Sequence, residues 1–230
     1  MAELVSVLMP VYNEERFIEP VVRKVCASPI EKEVIVVDDG STDGTGAVLE
    51  RLARELPLRV VTHERNLGKG RAIRSALEVS RGAILLIQDG DLEYDPDDYP
   101  VVLKPLFARR AEVVFGSRFL GAHRASYFWH RVGNWVITTL VNLLFNASLT
   151  DVETGSKAFR RSALEGLTLR AKRFEFEVEF TCKILRRRHM IFEVPVAYYG
   201  RSYAEGKKIT WKDGVYALWV ILGCRLSPAA

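Results

Sequence analysis

The segment Asp89-Gly90-Asp91 directly follows an apolar run, Ala83 to Gln88, that reads as a buried strand. In extended backbone, residues i and i+2 point to one side, so the two carboxylates can converge while Gly90 admits a ligand close to the main chain. Oxygen donors of this kind suit a hard divalent cation, Mg²⁺ or Mn²⁺, that also grips phosphates. The neighbours Glu93, Asp95, Asp97 and Asp98 leave a solvated acidic turn as the plainer reading of the same residues. A second acidic pair, Asp38-Asp39, ends another apolar run. It can accept hydrogen bonds from a nucleoside's base or ribose, or cap the following helix and shape the turn. The loop Asn66-Leu67-Gly68-Lys69-Gly70-Arg71 joins glycines, two cations and a helix start, as an anion site would. It lacks the spacing and the Ser/Thr of a P-loop, which excludes ATP hydrolysis of that type.

These loops need strands to aim them. Residues 4 to 9 read as strand, Glu15 to Ala27 as helix, Val34 to Val37 as strand and Gly46 to Glu55 as helix. Arg59 to Thr62 follows as strand, then a helix to about Ser80 and the strand Ala83 to Gln88. Continuous β-branched runs alternating with helices predict an α/β fold with a mostly parallel sheet flanked by helices on both faces. Ligands then bind beyond the carboxyl ends of the strands, where the loops above lie. After Val113 to Phe115 the pattern shifts to long helical stretches, Arg clusters and a late strand near Phe192 to Val196. No linker or internal repeat interrupts residues 1–230, so one unit is expected, with a ligand-binding half at 1–115 and a second half at 116–230.

The 230 residues are 48% hydrophobic, enough for a substantial core. A strand-like run at Leu4 to Met9 stands where a signal peptide would, so a cytoplasmic location is expected. Cys26, Cys182 and Cys224 are far apart and read as reduced thiols. The net charge of +4 hides a division: residues 1–115 carry 15 Lys and Arg against 20 Asp and Glu, a net of −5, and residues 116–230 carry 18 against 9, a net of +9. A basic half can meet nucleic acid, anionic lipid or a phosphorylated substrate, and composition alone does not choose.

Read together, Pro10-Val11-Tyr12-Asn13-Glu14, Val37-Asp38-Asp39-Gly40-Ser41-Thr42-Asp43-Gly44-Thr45, Asn66-x-Gly68-Lys69-Gly70-x-Ala72, Asp89-x-Asp91 and Gly116-Ser117-Arg118 resemble, in order and spacing, the family 2 glycosyltransferases of the GT-A fold. Asp151-x-x-x-Gly155-x-x-x-Phe159-Arg160 and Arg201-x-x-x-Glu205-Gly206-Lys207-Lys208 resemble its dolichol-phosphate mannosyltransferase and polyprenyl-phosphate glycosyltransferase branch. The resemblance implies a GT-A, Rossmann-like sheet with C-terminal amphipathic helices. It places Pro10, Tyr12, Glu14, Val37, Asp39, Lys69, Asp89 and Gly90 at the nucleotide sugar, and Asp89, Asp91 and Glu93 at the metal, Glu93 standing where relatives often have Gln. Arg118 and Arg131 join Asp91 as catalytic groups, and with Arg201 and Lys207, on a mobile loop, they gather the donor diphosphate and acceptor phosphate.

The implied reaction is inverting transfer of a sugar, mannose or glucose, from GDP-mannose or UDP-glucose to a polyprenyl or dolichyl phosphate. That phosphate is ionised near neutral pH, its second pKa being roughly 6, so no strong protein base is needed. His63, His123, His130 and His189 accordingly read as structural or surface residues. Val132 to Thr150 is uncharged, with Asn134, Thr138, Asn142 and Asn146 recurring every four residues as a polar stripe on an apolar helix. Val215 to Cys224 is about half of the ~20 residues that span a bilayer. Beside Trp211, Lys207, Lys208 and Lys212, an interfacial helix fits it, as does packing on the core or in a dimer. Peripheral action on the cytoplasmic face of a membrane, with a membrane-protein partner or homo-oligomer and no nucleic acid, is the expectation. Two alternatives stand: a saccharide or other hydroxyl acceptor with Glu153, Glu175, Glu177 or Asp151 as base, and a noncatalytic nucleotide-sugar or nucleic-acid binding protein.

Overall fold

The computed structural model describes residues 3–124, 127–202 and 211–226, without the side chains of Trp211 and Lys212. The β-branched runs become β1 (Val5–Val11), β2 (Lys32–Asp38), β3 (Leu58–Thr62), β4 (Ile84–Ile87) and β5 (Val113–Ser117), joined later by β6 (Lys157–Arg160) and β7 (Ile191–Pro195). The helices are α1 (Ile18–Ala27), α2 (Thr45–Glu55), α3 (Lys69–Val79), α4 (Tyr99–Phe107), α5 (Phe128–Phe145), α6 (Phe176–Arg186) and α7 (Trp211–Leu226). The sheet order is β3-β2-β1-β4-β6-β5-β7, parallel throughout except that β6 runs against both β4 and β5.

Period-two alternation divides each central strand between two faces. Val5, Val7, Met9 and Val11 of β1 face α1, α2 and α4 through Val21, Val22, Leu49, Leu103 and Leu106, while Leu8 meets Ala72, Ile73, Phe176 and Phe180 of α3 and α6 on the other side. Both faces of the sheet are therefore buried, which is why its strands are apolar without a polar side.

The reversed β6 positions the site. Its register sets Ile87 opposite Lys157, so the segment leading into β6, residues 151–156, arrives at the carboxyl end of β4 beside Asp89. No expectation placed a strand here, because Lys-Ala-Phe-Arg is short and charged at both ends.

A third cluster packs α5, α6 and α7 together through Ile137, Val141, Val178, Cys182, Ala217, Ile221 and Cys224. In α5 the polar stripe turns inward: Asn134 and Thr138 are buried, whereas Phe128, Trp129, Trp135, Val136 and Leu143 are exposed. Residues 129, 136 and 143 are seven apart, nearly two helical turns, and so share one side. In α7, Val215, Trp219, Leu222 and Leu226 are exposed at helical spacing, opposite the buried Ala217, Ile221 and Cys224. Both helices thus carry apolar residues toward solvent. Among the described residues no helix is long and apolar enough to cross a membrane.

Candidate active site

Beyond the carboxyl ends of β1, β2 and β4 lies a cavity of about 680 Å³. Pro10, Tyr12, Glu14, Asp39, Lys69, Asp89, Gly90, Asp91, Glu93, Arg118, Arg131 and Arg201 all line it, which brings the sequence-predicted residues together with two exceptions. Val37 is one: it points from β2 into the apolar cluster with Ala72 and Ile73, because strand alternation sends it to the sheet face and away from the cavity. Lys207 is the other, and lies outside the described residues.

At one end of the cavity the acidic pair builds a loop. Asp38 Oδ1 accepts from Ser41 N at 3.0 Å and so shapes the turn. Asp39 accepts from the backbone N–H groups of Leu67 (2.9 Å) and Gly68 (2.7 Å), and contacts His63 Nδ1 at 2.7 Å, with His63 Nε2 against Ser75. His63 is thus a strut for Asp39. Gly68 has φ of +96°, and a Cβ there would lie 2.3 Å from the Lys172 carbonyl oxygen, so only glycine lets this loop pass. The loop delivers Lys69 as the first residue of α3, where the unpaired N–H groups of a helix start favour an anion.

The acidic centre is crowded. Lys69 Nζ lies 2.6 Å from Asp89 and 2.9 Å from Glu177, and Arg201 Nη2 lies 2.6 Å from Asp91. Burial, then the neighbouring charges of Asp89 and Glu93, push the Asp91 carboxyl up to about 7. Among the described residues no group of three His, Cys, Asp or Glu side chains forms a ready metal cage. The buried Asp91 with the half-buried Asp89 beside it still fits Mg²⁺ or Mn²⁺, which protein sites often hold through one or two carboxylates plus substrate phosphates. Glu93 does not complete a set of three here. Its oxygens take the Tyr198 hydroxyl at 3.0 Å and the Arg201 backbone N–H at 2.6 Å, so it anchors the segment after β7 instead.

The cations are also held. Arg201 donates to Glu14 at 3.0 Å as well as to Asp91, and its guanidinium lies 5.6 Å from the Phe17 ring. Arg118 forms a two-pronged pair with the fully buried Asp151, both contacts 2.7 Å, and sits over the Tyr198 ring at 5.1 Å. Arg131, from the first turns of α5, reaches the cavity over the Phe119 ring at 5.3 Å.

Beneath the site, Lys157 is fully buried, 2.6 Å from Glu177, and its ammonium also donates to the carbonyls of Val152 and Thr154. Burial lowers the Lys157 pKa in spite of Glu177, while Lys157 and Lys69 together hold Glu177 below the carboxylate range although burial alone would raise it. One carboxylate therefore serves two lysines, and Asp89, Lys69, Glu177 and Lys157 form a continuous chain. Sequence reasoning missed Lys157 as a site support, and the missing signal was β6 itself.

The sequence pattern described as "Glycosyl transferase family 2" matches residues 6–168. The chain belongs to glycosyl transferase family 2. Within the family, the polyprenol monophosphomannose synthase of Mycolicibacterium smegmatis is 30% identical, over 87% of this chain and 79% of its own length. The UDP-N-acetylglucosamine–dolichyl-phosphate N-acetylglucosaminyltransferase of Methanococcus voltae is 30% identical over 90% of this chain and 91% of its own. The dodecaprenyl-phosphate galacturonate synthase of Rhizobium johnstonii is 28% identical over 88% of this chain, which spans 61% of that protein. Among solved structures, glucosyl-3-phosphoglycerate synthase from Mycobacterium tuberculosis superposes with a TM-score of 0.76 at 22% identity, covering 99% of this chain and 82% of that one. This establishes the GT-A-like fold. The same enzyme has been crystallised with Mn²⁺ and UDP.

Proposed function

We propose that this family 2 glycosyltransferase moves a sugar, mannose or glucose, from a nucleotide sugar to a polyprenyl or dolichyl phosphate at a membrane surface, with inversion. One observation carries the acceptor assignment. Helix α5 turns Arg131 and Asn134 to the cavity and Trp129, Trp135 and Leu143 to the outside, so an apolar face adjoins the site's rim. Aromatic and apolar side chains exposed on two neighbouring helices suit lipid at headgroup depth, where the acceptor's phosphate would lie. The polyprenyl- and dolichyl-phosphate enzymes among the relatives support this reading.

In the reaction an ionised phosphate oxygen of the lipid attacks the anomeric carbon, and the bond from that carbon to the nucleoside diphosphate breaks on the opposite side. Asp39 and the loop at Gly68 hold the nucleotide end of the cavity, and Lys69 with the start of α3 faces the diphosphate. Asp89 and Asp91 would hold Mg²⁺ or Mn²⁺, which supplies charge stabilisation to the departing diphosphate. Arg131 draws in the acceptor phosphate, and Arg118, kept rigid by Asp151, lies on the same side. Alignment then carries most of the rate enhancement. Incubation with labelled GDP-mannose or UDP-glucose, a divalent metal and polyprenyl phosphate should yield labelled glycolipid. No product from any donor across a broad panel would end the proposal.

A second reading, transfer to a hydroxyl, rests on Glu153. Of the four carboxylates considered as bases, Asp151 is paired with Arg118, Glu177 with two lysines, and Glu175 with the backbone N–H groups of Lys172 and Arg173. Glu153 lines the cavity without an ion pair among the described residues, and burial raises its pKa.

A further inference from the structure

Glu153 is a carboxylate on the cavity wall for which the lipid-phosphate reaction has no use. Its partner is Asn134: with the amide nitrogen turned to the carboxylates, Asn134 donates to Glu153 Oε2 at 3.1 Å and to Asp151 Oδ1 at 3.3 Å. Among the described residues no other side chain donates to Glu153 and no cation lies in ion-pair contact with it. The nearby Arg118 and Lys157 are already matched by Asp151 and Glu177. A carboxylate so placed has accepting capacity left over, and only a molecule in the cavity can use it.

Its position says which part of that molecule. Gly155 lies so close to Asp89 that a Cβ would come within 2.3 Å of Asp89 Oδ2, and Glu153 stands two residues before it. Two residues of chain reach roughly 7 Å at most. Glu153 and Asp89 therefore line neighbouring parts of the same cavity, on the wall that Asn134 and Arg131 also line.

We infer that Glu153 reads the transferred sugar, accepting hydrogen bonds from its hydroxyls and rejecting sugars that carry a carboxylate of their own. A carboxylate is an acceptor only, which suits the paired hydroxyls of a neutral hexose, and a uronate brought beside it would set like charges together in a poorly solvated site. Asn134 holds the carboxylate in place from the buried side of α5. This inference rests on the proposed use of a nucleotide-sugar donor.

The test compares wild type, Glu153→Gln and Glu153→Ala by calorimetric titration with UDP, GDP, UDP-glucose, GDP-mannose and UDP-glucuronate, with thermal melts to establish folding. Affinity for the free nucleoside diphosphates should stay within about twofold in all three proteins. The extra affinity that the neutral sugar confers should fall about tenfold in Glu153→Ala and less in Glu153→Gln, whose amide oxygen still accepts. Discrimination against the uronate, at least tenfold in wild type, should vanish in Glu153→Gln. Equal sugar increments in all three proteins would overturn the inference and leave the transferase reading standing. So would neutral-sugar affinity preserved in Glu153→Gln with turnover reduced a hundredfold, since that marks a proton acceptor. A wild-type protein that binds none of these nucleotides would remove the donor reading first and this inference with it.

Discussion

Arg201 and Asp91 meet through a 2.6 Å contact between Nη2 and Oδ2, and the same guanidinium reaches Glu14 at 3.0 Å. The contact spans from the segment after β7 to the end of β4, so a side-chain cation already covers a carboxylate assigned here to a metal. A metal held there, as proposed, would compete with Arg201 for Asp91. Arg201→Ala should bind Mn²⁺ at least threefold more tightly in calorimetry while losing turnover. Asp91→Asn should abolish turnover without lowering the melting temperature, because it relieves the repulsion from Asp89 and Glu93 that raises the Asp91 pKa. Chelation should stop the reaction and Mg²⁺ or Mn²⁺ restore it. Turnover that survives chelation would remove the cation from the account.

Asp39 joins the end of β2 to the loop before α3 through two backbone N–H groups and His63. Hydrogen bonds to a charged group contribute about 1.5–3 kcal/mol each, and an amide nitrogen set against those donors would leave at least one unsatisfied. Asp39→Asn should therefore cost about 2 kcal/mol in chemical denaturation. Nucleotide affinity should drop at least tenfold, as the loop that delivers Lys69 loses its anchor.

Glu177 neutralises the fully buried Lys157 and the half-buried Lys69 at once, so its loss is felt most at Lys157. Breaking a buried pair by removing one partner costs roughly 3 kcal/mol, and Glu177→Gln should show a loss of that order at neutral pH. The sign with pH follows from Lys157, whose pKa burial already holds below the ordinary lysine range. Between its folded and unfolded pKa values the unfolded chain binds more protons, so stability rises with pH. The variant should regain part of its loss between pH 7 and 10, measured by denaturation at each pH.

The apolar faces of α5 and α7 should bind lipid. Trp135 and Trp219 are 65% and 71% exposed, and replacing both by Glu should reduce co-sedimentation with anionic vesicles at least tenfold. Turnover on a short-chain, water-soluble polyprenyl phosphate should be little changed. Equal loss on both acceptors would move these residues from the membrane surface to the fold.

The nucleotide end of the site was legible because its parts are local. Asp38-Asp39, the Gly68 loop and Asp89-Gly90-Asp91 each follow a β-branched run, and strand direction alone brings them to one edge. Val37 fails for the same local reason read too generously, since it shares a motif with Asp39 but alternates onto the sheet face. The other end depends on pairings distant in sequence. Glu93 meets Tyr198 and Arg201, and Lys157 meets Glu177 across a reversed strand of four residues. In α5 the spacing of Asn134 and Thr138 revealed a stripe, but periodicity has no sign. Only packing against α6 and α7 shows that the polar side faces the protein.

That inward stripe has a mechanical consequence for the proposed action at a membrane surface. An 18-residue helix is about 27 Å long, comparable to the hydrocarbon thickness of a bilayer, yet Asn134 ties this one to Glu153 and Asp151 on its buried side. Tipped upright into lipid, α5 would have to drag those carboxylates along; lying flat, it leaves Asp151 buried against Arg118 and Glu153 on the cavity wall. In the proposed action at a membrane surface, the helix would act as a keel that fixes draught. It would set the depth at which the protein floats, and so the height above the lipid tails at which sugar and phosphate meet.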